Sequence, residues 1–139
     1  MKFMLIVKAG SASEAGEMPS SELIGEIMRF NEEMVQAGVL LGLNGLHPTS
    51  KGARVEFQNG AVTVTDGPFA ETKELLGGYW IIEVPSREVA IEWAKRSPAP
   101  LGPDAYGQIE VRQIFDPSDF GDAVDPDAHG RISAAIQEA

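Results

Sequence analysis

The chain contains no cysteine, and this absence excludes several kinds of chemistry. Without thiols it can form no disulfide bond, no thiolate metal site and no cysteine nucleophile. Histidine is almost as scarce, because His47 and His129 are the two in the chain. An acid–base centre built on imidazole would have to use one of them.

Basic residues and long apolar runs are also in short supply. The 139 residues include 21 acidic and 11 basic side chains, which gives a formal net charge of −10. Because a phosphate backbone needs a basic footprint, this balance argues against nucleic-acid and anionic-membrane partners. The apolar run 3–7 is too short for a secretory core or a membrane span, so we expect a soluble, cytoplasmic protein.

The sequence contains no dinucleotide fingerprint, P-loop or nucleophile elbow. We therefore expect no cofactor, and we expect no metal.

The apolar periodicity predicts an α+β domain over residues 1–116. Strands are predicted at 2–8, 39–46, 77–84 and 108–115, a β-hairpin at 53–65, and helices at 21–37 and after Ser86. The order strand, helix, strand, hairpin, strand, helix, strand is a ferredoxin-like split βαβ with an inserted hairpin. Residues 117–139 form an acidic C-terminal appendix with a short helix at 131–139.

Two helices can cover one face of the sheet, since both crossovers have the same hand. Yet the alternating residues of the strands at 2–8 and 77–84 are apolar on both faces. The uncovered face therefore predicts a homodimer in which two sheets pack face to face. Glu83, Glu110 and Arg112 either line a pocket between the sheet and its cover or lie on a solvated edge.

The stretch TDGPFAETKE, residues 65–74, concentrates polar chemistry on one connection between strands. Asp66 is either a general base at a pocket mouth or a turn residue that bonds its own backbone. Phe69 either fills the core or contributes to a ligand pocket. Glu71 and Lys73 either bind a cation or a polar ligand or form a solvated charged connection.

Three further residues complete the predicted site. His47 follows a strand and has a pKa range suited to proton transfer, although an exposed loop histidine is the commoner situation. Tyr79 and Trp80 are pocket candidates, but neighbouring residues of a strand point to opposite faces. Only one of them can therefore face a dimer cavity.

The signature DGPFAETKE, at residues 66–74, resembles the YCII-related domain family, and within it the subfamily named for this motif. The segments 30–41, 45–55, 65–80, 90–96 and 110–115 share the resemblance. It implies a dimeric α/β-barrel fold, and it implies an association with extracytoplasmic-function sigma factors. Better-studied relatives are thought to use a histidine on the first helix, and residues 21–37 contain none.

Two functional hypotheses remain open at this point. The first is a dimeric binding or accessory domain that holds a small molecule between the two sheets. The second is an enzyme in which Asp66, with His47 or Arg112, moves a proton on a small organic substrate. An enzyme requires these polar residues to converge on one cavity.

Overall fold

The computed structural model describes residues 1–70, 74–99 and 105–138, with side chains described as far as residue 136. Two of the predicted site residues, Glu71 and Lys73, lie outside the described residues. The strands are β1 (Lys2–Lys8), β2 (Leu40–Gly45), β3 (Ala53–Gln58), β4 (Ala61–Asp66), β5 (Leu76–Glu83) and β6 (Ile109–Gln113). The α-helices are α1 (Ser11–Glu14), α2 (Ser21–Gln36), α3 (Arg87–Lys95) and α4 (Pro126–Glu138).

Four strands form one antiparallel sheet in the order β2-β5-β1-β6. The continuously apolar strands β1 and β5 occupy the centre, where both faces of a strand can be buried. Edge strand β2 contains Gly42 and Gly45, and edge strand β6 contains Glu110 and Arg112. The fold is α+β, and its strand order is consistent with the predicted ferredoxin-like arrangement.

The core lies between this sheet and helices α2 and α3. The register places Phe3 opposite Ile82 and Leu5 opposite Trp80, so all four point to one face. Phe30 and Met34 of α2 and Ala90 of α3 pack against them. Each large side chain buried here contributes about 1.5–3 kcal/mol relative to an exposed one.

Both packing helices begin where their capping residues predict. The Ser20 hydroxyl accepts a hydrogen bond from the Leu23 N–H at 3.2 Å, and the Ser86 hydroxyl accepts one from the Val89 N–H at 3.2 Å. These caps satisfy backbone donors that have no partner inside the helix. The cap of α2 fixes the start of the helix that covers the central strands.

Strands β3 and β4 form a separate two-stranded sheet, the predicted hairpin. Its turn residues Asn59 and Gly60 have φ values of 50° and 81°, the left-handed conformation that a two-residue hairpin turn requires. In chain order the hairpin lies between β2 and β5. It is therefore inserted at the end of the main sheet where β2 stops and β5 starts.

The C-terminal segment forms a 3₁₀ turn at Pro117–Ala123 and then α4. The helix begins at Pro126, five residues before the predicted start at 131, because Asp125 accepts the Asp127 N–H at the beginning of the helix. The Ser118 backbone N–H and hydroxyl both donate to the Asp116 carboxylate, and these bonds lower the pKa of that group.

Candidate functional site

Helices α2 and α3 pack against one face of the sheet, and neither α1 nor α4 makes comparable contact with the sheet in the described residues. We call the opposite sheet face the open face. Strand alternation and register place on it the residues Lys2, Met4, Ile6, Lys8, Asn44, Tyr79, Ile81, Glu83, Glu110 and Arg112. Its centre is apolar, and its four central hydrophobic or aromatic side chains are half-buried. Its ends and one edge are charged.

The charged side chains of the open face form a small connected group. Glu110 lies 3.8 Å from the Lys8 ammonium, and its other carboxylate oxygen accepts a hydrogen bond from the Arg112 guanidinium at 3.2 Å. The Lys8 side chain is 19% exposed, whereas that of Arg112 is 70% exposed. The charges of β6 therefore lie on the uncovered face and not between the sheet and its helices.

A polar pair occupies the opposite edge of the same face. The Asn44 side-chain amide donates a hydrogen bond to the Tyr79 hydroxyl at 2.9 Å across strands β2 and β5. Tyr79 also stands opposite Ile6 in the register, and Ile6 stands opposite Glu110. One cross-strand row thus runs from an amide, through a phenol and an isoleucine, to a carboxylate.

The described part of the signature loop packs tightly against the turn that follows β2. The Gly67 N–H donates to the Gly52 carbonyl at 3.0 Å. A Cβ atom at position 67 would lie 1.7 Å from the Thr49 carbonyl oxygen, so only glycine allows this approach. The peptide between Gly67 and Pro68 is cis. The glycine of the signature is therefore required by backbone contact.

Glu14 of α1 joins the same contact through Thr49. The Glu14 carboxylate accepts the Thr49 N–H at 2.9 Å and the Thr49 hydroxyl at 2.7 Å. The Thr49 hydroxyl in turn accepts the Phe69 N–H at 3.1 Å. Three connections that are distant in sequence are thus tied by hydrogen bonds at one end of the sheet.

This end of the sheet is also where Lys8 lies. The Ala9 N–H donates to the Leu75 carbonyl at 2.8 Å, and the Leu46 N–H donates to the Gly77 carbonyl at 2.9 Å. The strand ends that carry Lys8 and Tyr79 are therefore held beside the connections that contain His47 and the signature loop.

Asp66 and His47 flank the contact between Gly67 and Thr49. Asp66 is the last residue of β4, and its exposed side chain accepts no hydrogen bond from a described residue. His47 is also exposed and directly precedes Pro48. The close approach of Gly67 to Thr49 brings together the backbone segments that carry Asp66 and His47.

Phe69 and Trp80 have different environments. The Phe69 ring is half-buried beneath the Arg54 guanidinium, whose carbon lies 3.9 Å from the ring centroid. Trp80 lies in the core on the helix side, where its indole N–H donates to the Asn31 side-chain oxygen at 2.8 Å. Tyr79 is therefore on the open face and Trp80 is not, as the alternation of the strand requires.

A cleft of about 200 Å³ lies on the other side of the sheet. It is lined by Glu26, Arg29, Phe30, Glu33, Arg96 and Pro98. None of the predicted site residues that the structure describes lines it. We take the open face as the candidate site because the charges of β1 and β6 lie on it and the signature loop lies at one end of the same sheet, although that face has no opposing wall in a single chain.

Sequence reasoning missed Glu14, Thr49, Lys8 and Asn44. The alternation of β1 could have placed Lys8 beside Ile6 on the uncovered face, since its side-chain period is two. Glu14 carries no comparable signal, because it belongs to a four-residue helix in a segment for which the sequence predicts no strand or helix. Its partner Thr49 is 35 residues away.

Comparisons with known proteins place the chain in a family context. A family model described as "YCII-related domain" matches residues 1–118. An uncharacterised protein of Rhizobium meliloti (strain 1021) is 35% identical over 89 residues, which is 64% of this chain and 70% of that protein.

Among the described residues, every helix is too short or too polar to span a membrane. The same residues contain no group of three or more metal-ligating side chains.

Proposed function

We propose that this chain, which belongs to the YCII-related domain family, is a homodimeric domain that binds a small organic molecule against the open face. A second copy supplies the wall that a single chain lacks. The binding site then lies between two open faces, close to the signature loop of each protomer. The signature residues 66–74 also lead us to propose the subfamily named for DGPFAETKE.

One observation carries this proposal: the open face is apolar at its centre and charged at its edge. Met4, Ile6 and Ile81 provide a surface whose burial favours association, at about 25 cal/mol for each Å² removed from water. Lys8 and Arg112 stand on either side of Glu110. A concave apolar site with a few convergent polar groups is the usual form of a small-molecule site.

The charges indicate the kind of ligand. The open face carries three cations, Lys2, Lys8 and Arg112, and two carboxylates, Glu83 and Glu110, in a chain whose net charge is −10. Arg112 presents a guanidinium that a carboxylate could engage with two hydrogen bonds. We therefore expect a small organic acid or a similarly polar molecule.

Native mass spectrometry of the full chain purified from cells tests this function. We expect the mass of a dimer with an added small molecule, and loss of that molecule in Arg112→Ala. Lys95→Ala is the matched control, because Lys95 is an exposed cation on α3, outside the open face. A dimer that carries no added mass and gains no thermal stability from a panel of small organic acids would contradict the binding role.

The second candidate is an enzyme that uses Asp66 with His47 or Arg112 for acid–base chemistry. It is favoured by the Gly67–Thr49 contact, which brings the segments that carry Asp66 and His47 to one edge. Asp66→Asn and His47→Gln should then abolish turnover of the molecule found by mass spectrometry and leave its binding measurable. Unchanged turnover in both variants would exclude this role.

The link to extracytoplasmic-function sigma factors is proposed from the signature resemblance alone. Co-purification of the chain with a sigma factor at native expression levels tests it. Absence of any such complex would contradict the link.

A further inference from the structure

The inserted hairpin carries an apolar face that no described residue of the chain covers. The register pairs Val55 with Val64 and Phe57 with Val62, so these four side chains share one face, which we call the hairpin patch. They are 53%, 65%, 78% and 60% exposed, respectively. A two-stranded hairpin is marginal in water on its own, and a contiguous apolar patch usually marks an interaction surface.

The opposite face of the hairpin makes the contact with its own protomer. Arg54 lies next to Val55 in β3 and therefore points to the other side of the hairpin. From there its guanidinium stacks on Phe69 of the signature loop. The hairpin patch consequently faces away from the contact that attaches the hairpin to the rest of the chain.

We propose that the hairpin patch is covered by a second copy of this chain, within the dimer described above. This inference rests on that dimer and adds a second contact region to it. The reach of the hairpin supports the assignment. Six residues per strand extend about 20 Å, which is close to the length of the sheet itself. The hairpin starts at the end of the sheet, and every residue of its two strands except Arg54 is exposed, so its patch is available to a second copy.

The size of the open face is a second argument. Four strands about 4.8 Å apart and about 20 Å long give a flat area of roughly 400 Å². Specific interfaces bury about 800 Å² of accessible surface on each partner. The two strands of the hairpin add roughly 200 Å² of flat area. Covering the hairpin as well as the sheet would therefore enlarge the flat footprint of the dimer contact by about half.

Charge is the third argument. Two copies that each carry a net charge of −10 repel one another across most of their surface. The hairpin patch contains no ionisable side chain, and Asp66 is the one carboxylate on the same face of the two strands, at the base of the hairpin. The open face has one more cation than carboxylates. These two surfaces allow a second copy to approach without acidic repulsion.

The absence of cysteine allows a direct test with single thiols as probes. Val64→Cys places a thiol in the hairpin patch, and Thr63→Cys places one on the opposite face of the same strand. Both substitutions are small and leave the core untouched. We would measure the rate of thiol labelling by a disulfide reagent across a dilution series and follow the oligomeric state of wild type by sedimentation.

The inference expects a dimeric wild type and a Val64→Cys thiol that reacts about tenfold more slowly at dimer-forming concentrations than after dilution, because labelling then requires dissociation. The Thr63→Cys thiol should react quickly at every concentration. Fast labelling of both thiols in a dimer would overturn the hairpin contact and leave the dimer intact. If labelling of Val64→Cys stays slow on dilution, a segment of the same chain, such as α4, covers the hairpin patch. That result would overturn the hairpin contact with a second copy. A monomeric wild type would overturn both proposals.

Discussion

The two faces of the main sheet are built from the same strands and have different surroundings. On one face, Leu5 and Ile82 are fully buried beneath α2 and α3. On the other face, their immediate neighbours Ile6 and Ile81 are half-buried and covered by no helix of the described chain. Because the period of a strand is two, one short sequence provides both surfaces.

This difference distinguishes the face that packs against the helices from the face for which we propose ligand binding. The helix-covered face is apolar and contains no buried charged residue among the described positions. Its composition is explained by packing alone. The open face combines apolar residues with Lys8, Glu110 and Arg112, and the signature loop lies at its end. Residues that packing does not explain are therefore concentrated on the open face.

The largest expected effect comes from deleting a side chain on the covered face. Leu5→Ala should lower the free energy of unfolding by about 2–5 kcal/mol, because its side chain is fully buried and would leave a cavity. Urea unfolding measures this loss. Ile6→Ala is the matched control, and its cost should be smaller at low protein concentration and grow at concentrations where dimers unfold. Equal costs at every concentration would remove the distinction between the two faces.

The next largest effect is expected at the contact between Gly67 of the signature loop and Thr49. Gly67→Ala should cost about 1–3 kcal/mol, because the added methyl group would overlap the Thr49 carbonyl and displace the loop. Gly25→Ala in α2 is a control in open space and should be stabilising by up to about 1 kcal/mol. If thermal unfolding gives the same shift for both variants, the tight approach is not a feature of the folded protein.

A smaller effect is expected at the Thr49 hydroxyl. Thr49→Val removes the hydroxyl bonds to Glu14 and Phe69 and should cost about 0.5–1.5 kcal/mol, the usual net contribution of an intramolecular hydrogen bond. Thr49→Ser keeps the hydroxyl and should restore most of the loss. Hydrogen exchange at the Phe69 amide reports the same bond, and unchanged exchange in Thr49→Val would show that the bond does not order the loop.

The smallest effect on stability is expected on the open face itself. Arg112→Ala should change the free energy of unfolding by less than about 0.5 kcal/mol, because this guanidinium is largely exposed. The same variant should lose the bound small molecule. A large loss of stability with retained ligand would assign Arg112 to the fold and not to the site.

Much of the fold followed from sequence patterns. The stripe that contains Phe30 and Met34 predicted α2, Asn59 and Gly60 predicted the hairpin turn, and Ser86 predicted the start of α3. These signals are local, since each depends on residues within one or two turns of the backbone. Alternation in β5 likewise predicted that Tyr79 and Trp80 would separate.

The arrangement at the end of the sheet could not be predicted in the same way. Glu14 and Thr49 are 35 residues apart, and Thr49 and Phe69 are 20 apart. Nothing in the local pattern of any of the three connections specifies the other two. The sequence pattern did not predict the early start of α4, because Pro126 lies in the acidic segment before the predicted helix, although proline is favoured in the first turn of a helix.

Sedimentation equilibrium of the full chain at micromolar concentration tests most directly whether the open face is covered by a second copy. The account predicts a particle of 29.8 kDa, twice the 14.9 kDa of one chain. It also predicts that Ile6→Lys, which places a charge at the apolar centre of the open face, shifts the protein toward the monomer while its helix content is retained. A folded wild-type particle of 14.9 kDa would contradict the account.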